Sequence, residues 1–143
     1  MNAYKHSKQA GFTLIEMMVV VAVIALLAAA VAPTLFNKLQ QAEQTRVAQD
    51  IRTIEGELKF YYLDSRRYPS QSDGLEALVS APGGATNWNG PYMESLPKDP
   101  WGKPYLYANP SSHNRRVDVY TLGADGVTGG EGPDKDWGNW NIQ

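Results

Sequence analysis

Residues 12 to 63 read FTLIEMMVVVAVIALLAAAVAPTLFNKLQQAEQTRVAQDIRTIEGELKFYYL. Two patterns share this one stretch. Residues 12–32 carry a single charge, Glu16, in 21 positions. As a helix they would span roughly 32 Å at about 1.5 Å per residue, close to the thickness of a bilayer core. Further on, Val47, Ile51, Ile54, Leu58 and Tyr61 recur at steps of 4, 3, 4 and 3, with Gln, Arg, Glu and Asp on the other faces. That is the stripe of an amphipathic helix. The spacing predicts one helix from about Phe12 to Leu63, its apolar half projecting and its amphipathic half packed on a globular domain. Pro33 is expected to interrupt it, because proline removes a backbone donor and crowds the preceding turn. A kink there is tolerable inside a membrane or a fibre.

Working outward, the residues before the helix read MNAYKHSKQAG, short, polar and basic. This positive flank is expected to stay in the cytoplasm, so that the C-terminal part is exported. An ordinary secretory signal has a shorter apolar core with small residues at a cleavage site beyond it. Ala28 to Ala30 imitate such a site, but here a glycine precedes the apolar run, and the run continues into the amphipathic pattern. After the helix, Arg66, Arg67, Tyr68 and Pro69 form its stop. A short second helix is expected near Asp73, with Asp73 and Glu76 as a capping box and Leu75, Leu78 and Val79 as its apolar face. Residues 82–100 are rich in Gly, Pro and Asn and read as a surface loop. Tyr105 to Tyr107 and Val117 to Leu122 are the candidate strands; Val117, Val119 and Thr121 would share one face, Asp118, Tyr120 and Leu122 the other. A polar loop over 123–136 leads to an aromatic end with Trp137 and Trp140. The fold class is α+β, a long N-terminal helix packed on a small antiparallel sheet.

The 143-residue chain has a formal net charge of −2. Without Lys5 and Lys8 it would carry 11 basic against 15 acidic residues, or −4. No basic patch points to nucleic acid. With no cysteine, disulfides and thiol chemistry are excluded, and a small exported domain must be stabilised otherwise. His6 and His113 stand in no catalytic or metal-ligand spacing. No Ser-His-Asp set, phosphate loop or catalytic carboxylate pair can be assembled, so the chain reads as no enzyme. Trp88, Trp101, Trp137 and Trp140 read as core and loop anchors, and Arg46, Asp50, Arg52 and Glu55 as a mostly solvated helix face.

Glu16 is costly in an apolar span, and such residues are usually functional or paired. The run Gly11-Phe12-Thr13-Leu14-Ile15-Glu16 resembles the processing site of type IV prepilins and type II secretion pseudopilins. The resemblance implies that a membrane-embedded prepilin peptidase cuts between Gly11 and Phe12 and methylates the new amine of Phe12. It also makes sense of Glu16, whose carboxylate can neutralise the Phe12 amine of a neighbouring subunit. The small residues Ala25, Ala28, Ala29, Ala30 and Ala32 allow identical helices to approach closely. Taken alone, the apolar helix reads either as an anchor or as a fibre core; the processing site implies both roles in succession.

Residues 123–136 hold four carboxylates and five glycines. Glycines let a backbone turn its carbonyls inward, and clustered carboxylates repel unless a cation sits among them. Calcium takes six to eight oxygens of these kinds. The spacing is not an EF-hand, and from the residues alone a solvated acidic turn reads as well. Asp99-Pro100-Trp101-Gly102-Lys103-Pro104-Tyr105, Tyr120 to Gly126, Gly129-Gly130-Glu131-Gly132 and Gly138-Asn139-Trp140 together look like the major pseudopilins of type II (general) secretion systems. That resemblance implies a structural Ca2+ in the loop, with Asp125, Asp136 and Asp134 as side-chain ligands and the carbonyls of Leu122 and Val127 as further ones. Glu131 either contributes or faces solvent.

The resulting expectation is a cleaved leader over 1–11, a transmembrane and fibre-core helix over 12–35, and a periplasmic globular domain over 36–143. The chain would sit in a bacterial inner membrane as a single-pass protein and then join a periplasmic pseudopilus that drives export across the outer membrane. Its partners would be copies of itself, the prepilin peptidase, minor pseudopilins and the inner-membrane assembly platform. A type IV pilus subunit, for adhesion, motility or DNA uptake, shares this N-terminus, but many such pilins close their C-terminal region with a disulfide. A membrane-tethered calcium module that never polymerises is the other rival.

Overall fold

The computed structural model describes residues 11–142; the leader expected over 1–11 therefore lies outside the described residues except for Gly11. One helix dominates, α1, Leu14–Ser65, 52 residues long. It runs through Pro33 without a break, so the expected interruption is not seen. The chain divides between Leu39 and Gln40 into two units, with α1 contributing to both.

In the first unit nearly every apolar side chain is exposed, among them Leu14, Val21, Ile24 and Leu27. α1 holds a stretch long and apolar enough to cross a membrane, none of it buried within the molecule. In the second unit the residues of α1 that are buried are Val47, Ile51, Ile54, Leu58 and Tyr61, the stripe expected from their spacing. Burying each such side chain stabilises the fold by about 1.5–3 kcal/mol relative to leaving it in water.

α1 ends because Arg66 turns left-handed, with φ 58°. Its N–H bonds the Tyr62 carbonyl at 2.8 Å, which closes the last turn. The expected second helix is only a 3₁₀ turn, Leu75–Leu78. The expected Asp73–Glu76 box does not cap it. The reciprocal box forms three residues earlier instead. The Ser70 N–H donates to Asp73 Oδ2 at 3.3 Å, and the Asp73 N–H donates to Ser70 Oγ at 3.2 Å. Leu75, Ala77 and Leu78 still enter the core.

The sheet has three antiparallel strands in the order β1 (Leu106–Ala108), β2 (Asp118–Thr121), β3 (Trp137–Gly138). Tyr107 pairs with Val119 and Thr121 with Trp137. The aromatic end thus supplies a third strand, where the sequence predicts only an aromatic segment. Tyr105, Tyr107, Val117 and Val119 join the α1 stripe in one core. Their polar tips are satisfied: the Tyr105 hydroxyl donates to Asp50 Oδ2 at 2.9 Å, and the Tyr107 hydroxyl to the Pro69 carbonyl at 2.8 Å.

Two polar assignments change. Asp118, expected on the outer face with Tyr120, is buried. The loop over 111–113 folds across it and supplies donors from Ser111, Ser112 and His113. His113 also stacks on Trp140, ring centroids 3.5 Å apart. Nor is the face of Arg46, Asp50 and Glu55 merely solvated. Arg46 donates to the Lys98 carbonyl at 3.0 Å, Asp50 holds Tyr105, and Glu55 accepts from Asn139 Nδ2 at 2.9 Å. Three charged residues of α1 therefore tie it to the rest of its unit.

Candidate functional site

The N-terminal site is built by the start of α1. Gly11 and Phe12 precede the helix in an exposed segment, and a side chain at Gly11 would meet nothing within 4 Å. Among the described residues, nothing covers the bond between them. Two residues on, Thr13 and Glu16 cap the helix reciprocally. The Glu16 N–H donates to Thr13 Oγ1 at 3.3 Å and the Thr13 N–H to Glu16 Oε2 at 3.4 Å. This box satisfies two donors that a helix start leaves free, and it sets a carboxylate where the helix dipole favours one. The spacing Thr-x-x-Glu is the signal that would have revealed it. Glu16 thus has a local partner one residue from the Phe12 amine that cleavage would create.

The C-terminal loop hangs from Asp99, which is buried. Its Oδ1 accepts from the N–H groups of Trp101 at 3.1 Å and Lys103 at 2.7 Å, and its Oδ2 from the Thr121 hydroxyl at 2.6 Å. This fixes Lys103, whose ammonium reaches the carbonyls of Gly123 at 3.3 Å and Ala124 at 2.7 Å. Beyond them the loop doubles back tightly. The Ala124 N–H bonds the Pro133 carbonyl at 2.9 Å. Gly123, at φ 69°, passes so close that a Cβ would stand 2.7 Å from that same oxygen. Only glycine fits there.

Within the loop Asp125 Oδ1 accepts the Val127 N–H, and Asp136 Oδ2 accepts the Gly129 N–H, each at 2.9 Å. Asp136 Oδ1 is buried and accepts from no described residue. A carboxylate oxygen in that position is expensive without a cation or donor. Among the described residues no three acidic or histidine side chains gather around one point. Asp125, Asp134 and Asp136, expected together as ligands, are therefore not gathered into one cluster among the described residues. Lys135 lies 4.5 Å over the Trp137 ring.

The family described as "Type II secretion system (T2SS), protein G" matches residues 34–140. The chain belongs to this protein G family. The "Prokaryotic N-terminal methylation motif" matches residues 6–32. "Type II secretion system core protein G" of Vibrio cholerae is 47% identical over 142 residues, covering 97% of each chain. The same-named protein of Pseudomonas aeruginosa is also 47% identical, over 138 residues, covering 94% of this chain and 96% of its own. That of Escherichia coli is 41% identical, covering 92% of both. The crystal structure of the major pseudopilin from the type 2 secretion system of enterohaemorrhagic Escherichia coli superposes with a TM-score of 0.66. It is 36% identical and covers 77% of this chain and 96% of its own. As a member of the protein G family, this chain is a structural subunit of a type II secretion pseudopilus and not an enzyme. The type IV pilus and non-polymerising readings fall away.

Proposed function

We infer that the chain is made as an inner-membrane precursor, cut between Gly11 and Phe12 by a prepilin peptidase, methylated at Phe12, and added to a periplasmic fibre. The single observation that carries this reading is the order of parts at the N-terminus. An exposed Gly-Phe bond stands immediately before an uncovered apolar helix whose first turn holds Glu16. In a membrane or a fibre core, Glu16 and the cationic amine of Phe12 on a neighbour neutralise each other, which neither could do alone at low cost. Minor pseudopilins and an inner-membrane assembly platform are the further partners this places on the chain. The test is mass spectrometry of the membrane-extracted protein. A methylated N-terminal Phe12 is expected, replaced by the uncut precursor in Gly11→Val. An N-terminus at any other residue would overturn the assignment.

The loop is proposed to hold a structural Ca2+. Asp125 and Asp136 would supply carboxylates, Asp134 a further one, and Leu122 and Val127 their carbonyls. The buried free oxygen of Asp136 is what supports this. The ion would do no chemistry; bound to the folded state alone, it would stabilise that state. Calorimetric titration of the full chain in detergent with Ca2+ should show one site, absent in Asp136→Ala. A titration without heat or saturation would remove the ion.

A further inference from the structure

We propose that successive copies in the fibre are joined by a head-to-tail charge contact, in which Glu131 of one copy seats against Arg115 and Arg116 of another. The proposal rests on assembly into a fibre and not on the calcium ion, whose assigned ligands exclude Glu131.

The observations all lie within the second unit. A groove of about 290 Å3 opens beside α1 and is lined by Glu55, Lys59, Arg115 and Arg116. Glu55 is engaged by Asn139. Among the described residues, the three cations make no ion pair; those found are Arg46 with Asp50 and His113 with Asp118. Arg115 and Arg116 are exposed, and Arg116 lies 5.9 Å over the Tyr62 ring, which holds its guanidinium at the surface. The groove therefore carries an excess of positive charge without a partner.

The complementary charge lies on the loop over 123–136, where Glu131 is exposed. This loop touches the other end of the unit. A Cβ at Gly132 would stand 3.0 Å from Gln40 Nε2. The groove lies at Glu55 and Lys59. At about 1.5 Å per residue, those two levels of α1 are roughly 22–28 Å apart. Salt screens exposed charges beyond about 8 Å under physiological conditions, so the two poles of one copy do not pair or even sense each other. A second copy shifted along the helix axis brings opposite poles together. The same step then repeats, because each copy keeps one unused pole at either end. Such heterologous contacts do not close and produce helical filaments.

The chain has no native cysteine, which makes covalent capture clean. The full-length chain carrying Arg115→Cys and Glu131→Cys is produced with its secretion machinery and oxidised in intact cells. A ladder of many linked copies is expected from the double variant. A mixture of chains each carrying one of the two changes should stop at dimers. Independently, Glu131→Lys, or Arg115→Glu with Arg116→Glu, should cut the yield of sheared fibres about tenfold or more, because like charges then face each other. Combining the two reversals should restore it. Calcium-dependent melting of Glu131→Lys should match the unaltered chain, which separates this contact from the ion. Fibres that form from the double-cysteine chain with no inter-chain bond would overturn the proposal. So would undiminished yield from both charge-reversed chains.

Discussion

Asp118 stands charged inside the unit with only 1% of its surface exposed. Burial alone would push its pKa up. The hydrogen bonds from the Ser111 hydroxyl at 2.5 Å, from His113 Nδ1 at 2.9 Å and from the Ser112 N–H at 2.8 Å outweigh that and hold it below the ordinary carboxylate value. A depressed pKa contributes stability above the unfolded value of about 3.9 and loses it as pH falls through the folded value. Melting temperature should therefore hold steady at mildly acidic pH and drop below about pH 4. Asp118→Ala should lower unfolding free energy by about 2–3 kcal/mol in a urea titration at neutral pH, because it strands three donors. Tyr105 works at the other limit. Burial first, and the Asp50 carboxylate beside it second, push its hydroxyl above the usual range. The neutral form is favoured in the folded state, so this contribution is present below about pH 10 and fades as pH rises further. A circular-dichroism melt across that range checks it. None of this was legible from strand alternation, which placed Asp118 outside. The donors that bury it come from a loop whose path is tertiary.

At the scale of elements, the period of α1 gave the five core residues directly, since nothing else in the sequence competes with a 3–4 repeat that long. Ile51→Ala should cost about 2–5 kcal/mol by chemical denaturation. The caps were legible in type but not in register. Ser70 and Asp73 form the box because the turn over 71–74 precedes the 3₁₀ segment. Ser70→Ala should cost about 1 kcal/mol in the same assay, and Glu76→Ala much less. β3 was not legible at all. Two residues carry no period, and Trp137–Gly138 become a strand only because β2 offers an open edge.

For the whole molecule, a chain without disulfides has its loop-rich stretch, residues 82–136, held by polar hubs at Asp99 and Asp118. If Ca2+ binds as proposed, saturation at one hundred times Kd adds about 2.7 kcal/mol. Excess chelator should then lower the melting temperature of the second unit by on the order of 10 °C, and magnesium should not restore it. The family and the processing motif were legible in the sequence because both are carried by contiguous residues. The charge poles were not, because Glu131 and Arg115 are 16 positions apart in the sequence while lying at opposite ends of the unit.

The place of β3 in the sheet bears on when this molecule can fold. β2 pairs on one side with β1, and on the other only with Trp137–Gly138. Asn139, just beyond, donates to the Val117 carbonyl and to Glu55, 84 positions earlier. A chain emerging from its N-terminus has therefore made its long helix well before the residues that close the core exist. Of the three strands, the one that completes the sheet is made last. A chain stalled before Trp137 would hold a long helix and a sheet whose β2 edge is open, a form exposed to proteolysis and mispairing before it can assemble.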